Sequence, residues 1–160
     1  MRDGETYWDV GAGTGSVSVE LALLAPHSTV CAVECGGEAC SLIRANREKF
    51  GVYNLELTQG RAPEVLAQLP APDAVFLGGS GGELPAILEA ALRKNPAARF
   101  CITAIAVETL GTAVAAMTQL GMEPQISQVT VARSRAAGER HLMMGQNPVW
   151  IITGRKEALV

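Results

Sequence analysis

The stretch Tyr7-Trp8-Asp9-Val10-Gly11-Ala12-Gly13-Thr14-Gly15-Ser16-Val17 decides the fold of this chain. Its first four residues are rich in aromatic and β-branched side chains and predict a short buried strand. Three glycines in five residues then end the strand, and residues 17–24 can continue as a helix. A strand, a glycine turn and a helix open a nucleotide-binding α/β unit, in which the glycines let a ligand approach the backbone closely.

The spacing of the glycines narrows the class of ligand. A dinucleotide fingerprint reads G-x-G-x-x-G, but here Ser16 stands at the sixth position and the third glycine is Gly15. No lysine follows the turn, which excludes a P-loop. The pattern G-x-G-x-G preceded by an acid, Asp9, is typical of Rossmann-like methyltransferases that use S-adenosylmethionine (SAM).

Length and composition restrict the class of protein further. The chain has 160 residues, which suits one domain with a substantial core. Hydrophobic residues make up 48% and charged residues 18%, which indicates an ordered, heavily buried fold. The net charge of −3 disfavours a protein that holds nucleic acid on a broad basic face.

The sequence also favours a cytoplasmic location. No apolar run reaches the roughly 18 residues of a membrane span, and the N-terminus lacks a signal-peptide pattern. The four cysteines form no C-x-x-C pair; they are Cys31, Cys35, Cys40 and Cys101. Reduced thiols in a cytosolic protein are the simplest interpretation, and we predict no metal site.

The rest of the chain repeats the alternation of strand and helix. Further strands are predicted at 29–33, 55–59, 73–77 and 99–105, with helices after them that begin near residues 37, 63, 84 and 108. The second helix is expected to bury Ala39, Leu42, Ile43 and Phe50, and to end at Gly51. The last two strands, 125–132 and 148–153, have no helix between them and are therefore expected to be antiparallel. Together these elements predict an α/β fold of the Rossmann-like class I SAM methyltransferase type. Its seven-stranded sheet is mostly parallel, with an antiparallel C-terminal strand.

Two strand ends carry the chemistry of the predicted site. Glu34 ends the second strand about 20 residues after the glycine turn, where this class of fold holds a ribose through a carboxylate. The fourth strand ends in Gly78-Gly79-Ser80-Gly81-Gly82, and four glycines of five indicate that a ligand packs against bare backbone. The Asn/Asp-Pro-Pro-aromatic motif of amino-methyltransferases and the Pro-Cys pair of cytosine C5-methyltransferases are both missing there.

One basic cluster, Arg133, Arg135 and Arg140, lies between the last two strands of this acidic chain. A solvated loop is one interpretation of the cluster. A substrate with many carboxylates is the other, because guanidinium groups bind carboxylates bidentately.

Four segments together resemble the CbiT-type precorrin methyltransferases, a family that also forms the C-terminal half of the fused CobL enzymes of cobalamin synthesis. They are 9–17, 78–84, Thr103-Ala104-Ile105 with Glu108-Thr109, and Asn147-Pro148-Val149. The resemblance implies SAM-dependent methylation of C15 of a precorrin, with decarboxylation of the C12 acetate on ring C. It also implies a homo-oligomer, a tetramer in the family, and fusion to or cooperation with a C5-methyltransferase.

Roles for individual residues follow partly from the resemblance and partly from the glycine loop and the basic cluster of this chain. Cofactor contacts are implied for Gly11, Ala12, Gly13, Thr14, Gly15, Glu34 and Ala62. Gly79, Ser80 and Glu108 are the candidate catalytic residues, and Arg133, Arg135 and Arg140 are the candidate substrate contacts. A reduced tetrapyrrole carbon is itself nucleophilic, so we expect no strong protein base.

Other interpretations stay open on the sequence alone. The family normally has an N-terminal segment with a helix ahead of the first strand, whereas this chain starts almost at that strand. We expect either a fragment of a longer protein or a less covered cofactor pocket. A SAM methyltransferase acting on RNA and a non-catalytic SAM-binding domain are the alternative functions.

Overall fold

The structure, a computed structural model, describes residues 1–156 of the chain. Five strands alternate with helices over the first three quarters of the sequence, and four strands follow. The strands are β1 Thr6–Val10, β2 Thr29–Glu34, β3 Leu55–Gln59, β4 Ala74–Leu77, β5 Arg99–Ala104, β6 Gln125–Val129, β7 Ala132–Ala137, β8 Arg140–Gly145 and β9 Val149–Gly154. The helices are α1 Ser16–Leu24, α2 Gly37–Phe50, α3 Leu84–Lys94 and α4 Val107–Gln119, with a 3₁₀ helix at Glu64–Gln68 between β3 and β4.

Seven strands form one sheet in the order β3-β2-β1-β4-β5-β9-β6. The first five strands are parallel, and β9 runs antiparallel between β5 and β6. The predicted seven-stranded, mostly parallel sheet with an antiparallel C-terminal strand is therefore confirmed. Because β9 is antiparallel to both neighbours, β6 points the same way as β5, and its last residue lies at the carboxyl edge of the parallel strands.

The core occupies both faces of this sheet, as a mostly parallel sheet requires. Successive side chains of β1 point to opposite faces, so Trp8 belongs to the cluster with α3 and α4, and Tyr7 to the cluster with α1 and α2. The face of α3 that packs on the sheet carries Ile87, Leu88 and Ala91, which are fully buried. No helix among the described residues is long and apolar enough to cross a membrane.

The predicted inward face of α2 is partly wrong. Leu42 and Phe50 are 49% and 48% exposed, while Cys40 and Ile43 are fully buried. The glycine turn determines this orientation, because Ile43 packs against Gly15 and the Asn46 side chain donates to the Thr14 carbonyl. The predicted end of α2 at Gly51 is confirmed by a left-handed cap with φ 64°.

The chain between the last two sheet strands also differs from the prediction. The strand expected over 125–132 ends at Val129, and the expected loop is a β-hairpin made of β7 and β8. This hairpin is a separate two-stranded sheet, and all of its strand residues are exposed. It extends the chain beyond the carboxyl edge at which β6 ends.

Candidate active site

The glycine turn lies at the topological switch of the sheet. β1 is hydrogen-bonded to β2 on one side and to β4 on the other, so the crossovers leave it in opposite directions and open a crevice at its carboxyl end. The N–H groups of Gly11 and Ala12 both donate to the Val33 carbonyl, at 3.0 and 3.1 Å. These bonds fasten the turn to the end of β2 and place it beside Glu34.

Gly11 is held so closely that no other residue fits. Its φ is +71°, and a Cβ built on it would lie 2.3 Å from the Gly79 carbonyl oxygen. The glycine loop after β4, residues 78–82, therefore packs directly on the glycine turn after β1. Residues 78–82 are called the fourth loop below. The Gly78 N–H donates to the Val10 carbonyl at 3.1 Å, which joins the two loops at their base.

Glu34 lies at the end of β2, as predicted, and its carboxylate faces the glycine turn. One oxygen accepts from the Gly13 N–H at 2.9 Å and the other from the Gly36 N–H at 2.8 Å. Partial burial opposes ionisation, but the N–H donors of Gly36 and Gly13 outweigh it and lower the pKa of Glu34. The group is therefore charged at neutral pH and keeps lone pairs for the hydroxyl groups of a ligand.

Two cavities meet at the fourth loop. A small cleft of about 70 Å³ is lined by Val10, Gly11, Val33, Glu34, Cys35, Gly60, Arg61, Ala62, Gly79, Ser80 and Gly81. A larger cavity of about 570 Å³ is lined by Leu77, Gly78, Gly79, Ser80, Gly81, Gly82, Leu84, Ile102, Thr103, Ala104, Ile105, Ala106, Thr109 and Val149. Residues 79–81 belong to both and form their shared wall. Among residues 1–156, the polar side-chain groups that line the larger cavity are serine and threonine hydroxyls, and no carboxylate or imidazole is found there.

The cleft contains part of the predicted cofactor set. Gly11, Glu34 and Ala62 line it. The turn continues from Gly11 through Ala12, Gly13, Thr14 and Gly15, which are not part of its wall but are tied to it by the bond between Gly13 and Glu34.

The predicted catalytic residues are only partly brought together. Gly79 and Ser80 lie in the shared wall. Glu108 is exposed in the first turn of α4 and is not part of either lining, whereas its neighbour Thr109 lines the larger cavity.

The three candidate substrate arginines lie on the hairpin, outside both linings. Arg133 and Arg135 are two residues apart on β7, and Arg140 of β8 pairs with Ala137, which is two residues further along. Directly paired residues of antiparallel strands share a face, so all three guanidinium groups lie on one face of the hairpin. That hairpin leaves the sheet at the carboxyl edge, where Val149 lines the larger cavity.

A family model described as "Precorrin methyltransferase domain" matches residues 1–156. The chain belongs to this precorrin methyltransferase family.

Three similar proteins illustrate the family. "Probable cobalt-precorrin-6B C(15)-methyltransferase (decarboxylating)" of Pyrobaculum calidifontis is 44% identical over 155 residues, which are 96% of this chain and 80% of that protein. A crystal structure of precorrin-6Y C5,15-methyltransferase from Geobacter metallireducens has a TM-score of 0.91 at 37% identity, covering 98% of this chain and 82% of that one. That of precorrin 8W decarboxylase from Methanobacterium thermoautotrophicum has a TM-score of 0.86 at 36% identity, covering 94% and 81%.

The candidate site also contains residues to which the sequence pattern assigned no role. Cys35, Gly60 and Arg61 line the cleft, and Ala106 lines the larger cavity. Each follows the carboxyl end of a parallel strand within two residues, so position in the strand–helix series is the signal that finds them.

Asp9, the acid of the glycine motif, is buried beneath the turn and does not line either cavity. The Ser18 hydroxyl donates to one carboxylate oxygen, which ties β1 to α1, while the other oxygen has no hydrogen-bond partner among the described residues. Burial raises the pKa of Asp9 to about 6, against a partial opposing effect of the bond from Ser18.

This raised pKa predicts a specific pH dependence of stability. Between about pH 4 and pH 6 the folded chain retains a proton at Asp9 that the unfolded chain loses, so this residue makes stability fall as pH rises through that window. Asp9→Asn should remove the effect and gain on the order of 3 kcal/mol relative to the parent between pH 4 and pH 7. Urea unfolding of both proteins across this range measures the difference, and a constant difference would contradict the prediction.

Proposed function

We propose that the chain methylates C15 of a precorrin with SAM and removes the C12 acetate carboxyl group as CO₂. The single observation that carries this proposal is the pair of cavities that share residues 79–81 as a wall. One cavity is lined by Glu34 and by Gly11, the first glycine of the turn, which suits a nucleoside, and the other is larger and has no acid or base group among the described residues of its lining. The names of the similar proteins describe this reaction or parts of it.

The residues of the cleft fit SAM. The Glu34 carboxylate is suited to accept hydrogen bonds from the ribose hydroxyls, and the backbone at Ala62 is suited to contact the adenine edge. Because Gly11 has no side chain, the methionine part of SAM can lie directly against the backbone of the glycine turn. SAM supplies, when bound, an electrophilic methyl group on a sulfonium. The protein then has to align that methyl group with the substrate carbon, and alignment provides a large share of the rate in such displacements.

The larger cavity suits a substrate that supplies its own nucleophile. The ring carbon would bond to the methyl group with electrons from the conjugated tetrapyrrole, while the methyl–sulfur bond breaks and its electron pair stays on the sulfur of the departing thioether. The ring would afterwards release a proton. When the acetate loses CO₂, the electron pair of the broken bond passes into the ring, and a proton is added at the remaining carbon. The backbone of residues 79–81 and the hydroxyls of Ser80, Thr103 and Thr109 would hold the ring edge during both steps.

Product mass tests this function directly. The chain is incubated with SAM and a precorrin-6B-type substrate, and the product is expected to gain one methyl group and lose CO₂. Methylation without loss of CO₂, or methyl transfer to RNA instead, would contradict the proposal. Binding of SAM with no turnover on either substrate would favour a non-catalytic SAM-binding domain.

Arg133, Arg135 and Arg140 are proposed to hold the acetate and propionate carboxylates of the precorrin. Their position on one face of a hairpin at the carboxyl edge supports this role. Partly solvated arginine–carboxylate pairs contribute under about 1 kcal/mol each, so Arg133→Ala with Arg135→Ala should raise KM for the precorrin by roughly tenfold. It should also flatten the salt dependence of KM and leave SAM affinity unchanged. If the double variant had the same KM as the parent across a salt series, the proposal would be contradicted and the arginines would be solvated side chains of the hairpin.

The chain is also proposed to form a homo-oligomer, in line with the tetramer that the resemblance implies. An isolated two-stranded sheet is marginal in water, and Met143, on the face of the β7–β8 hairpin opposite the three arginines, is 66% exposed. A second copy of the chain would cover this surface and pair its open strand edges. Light scattering of the purified chain tests this, and a monomeric mass at micromolar concentration would contradict it.

We propose that residues 1–160 act as one cytoplasmic methyltransferase domain, working with or fused to a C5-methyltransferase. All four cysteines are free, which suits a reducing compartment. The Geobacter metallireducens protein is named precorrin-6Y C5,15-methyltransferase, a name with both C5 and C15, which supports the association with a C5-methyltransferase.

A further inference from the structure

Arg61 belongs to the loop that follows β3, and its side chain lies next to the fourth loop, residues 78–82. The backbone around it is fastened on both sides, since the Gly60 N–H donates to the Glu34 carbonyl at 2.9 Å and the Val65 N–H donates to the Arg61 carbonyl at 3.2 Å. The side chain crosses toward the fourth loop, where its Nη1 lies 3.6 Å from the Cβ position of Gly81. The guanidinium therefore stands at the rim of the cleft, beside the wall that the cleft shares with the larger cavity.

The charge of Arg61 has no anionic partner among residues 1–156. Arg93 and Arg99 pair with Glu89 and Glu5 at 3.8 and 2.6 Å, but no carboxylate oxygen lies within 4.0 Å of the Arg61 guanidinium. The residue is exposed, so this charge is solvated and available to a ligand.

The proposed cofactor does not supply the missing anion. With its ribose at Glu34, SAM would direct its adenine toward Ala62, in the loop after β3, and its carboxylate toward the glycine turn. Adenine carries no negative charge. We therefore assign the anion that Arg61 is suited to bind to the second substrate, whose ring would occupy the adjoining cavity.

We propose that Arg61 is a specificity-determining residue that binds a peripheral carboxylate of the tetrapyrrole. This inference rests on the proposed function and adds a contact on the opposite side of the cavity from the hairpin arginines. Arg61 follows β3 and the hairpin follows β6, which are the two edge strands of the sheet, while the larger cavity is built on β4 and β5 between them. A flat substrate with carboxylates around its rim is thereby held from both sides, and its rotation in the cavity is restricted.

Arg61→Gln and Arg61→Lys test the proposal, with Arg93→Gln as the matched control on the exposed face of α3. Arg61→Gln should raise KM for the precorrin by up to about fivefold and reduce its salt dependence, because it loses one partly solvated contact between a guanidinium and a carboxylate. Arg61→Lys should lie between Arg61→Gln and the parent, since it keeps the charge but not the planar fork. SAM affinity and the parameters of Arg93→Gln should match the parent.

A binding measurement separates this proposal from the proposed reaction. Uroporphyrin, a polycarboxylate tetrapyrrole, is titrated by its absorbance change into the parent and each variant. Weaker binding to Arg61→Gln alone supports the carboxylate contact even if the parent fails to methylate a precorrin. Equal binding by parent and Arg61→Gln, or a loss of SAM affinity in Arg61→Gln instead, overturns it.

Discussion

Gly79→Val is expected to lower turnover by about a hundredfold or more while the chain stays folded, because displacing aligned reactants by about 1 Å has effects of that size. Gly79 lies in the wall shared by the two cavities, and a Cβ built on it meets no atom within 4 Å. The new side chain therefore enters open space where the methyl group and the substrate ring are proposed to meet.

The geometry separates an effect on catalysis from an effect on folding. Gly79 has no left-handed φ, so valine adds no backbone strain there, in contrast to Gly11 with φ +71°. Gly111→Val is the matched control, since Gly111 is exposed on α4 and a Cβ on it also meets open space. Turnover, SAM affinity by calorimetry and thermal unfolding are measured for both. If Gly79→Val lost SAM affinity as strongly as turnover, the loop would hold the cofactor and not the space between the reactants.

Glu34→Ala is expected to weaken SAM binding by about tenfold to a hundredfold. Hydrogen bonds to a charged group contribute roughly 1.5–3 kcal/mol, which converts to that range of affinity. The carboxylate is held in place by the N–H groups of Gly13 and Gly36, and its lowered pKa keeps it charged at neutral pH. Alanine removes both the acceptors for the ribose and the link to the glycine turn.

Two further variants identify the cause of the loss. Glu34→Gln keeps one oxygen acceptor and is expected to bind SAM with intermediate affinity. Glu38→Ala removes an acid from the first turn of α2, outside the cleft lining, and should bind as the parent does. Calorimetry that gives the parent affinity for Glu34→Ala would remove Glu34 from the cofactor site.

Local patterns predicted the parts of the fold that depend on near neighbours in the chain. The sequence predicted three such features: the glycine turn, the acid at the end of β2 and the glycine cap at Gly51. Each depends on a residue type at one position of a local pattern. The antiparallel C-terminal strand followed from two apolar runs without a helix between them. The sequence did not predict the buried face of α2 correctly, because two of its residues, Ile43 and Asn46, are oriented by contacts with the glycine turn.

The sequence by itself determined the α/β class, the glycine turn and the position of Glu34, since strand and helix periods and glycine spacing are local properties of the chain. Only the tertiary structure decided which residues from distant parts of the chain come close to one another. It brought Gly79 against Gly11, although the two residues belong to different strand–helix units. It also extended the Arg61 side chain toward Gly81 and put the hairpin arginines on one face at the carboxyl edge. These relations depend on the order and direction of strands in the sheet, which hydrogen bonds between distant segments establish and which no local pattern encodes.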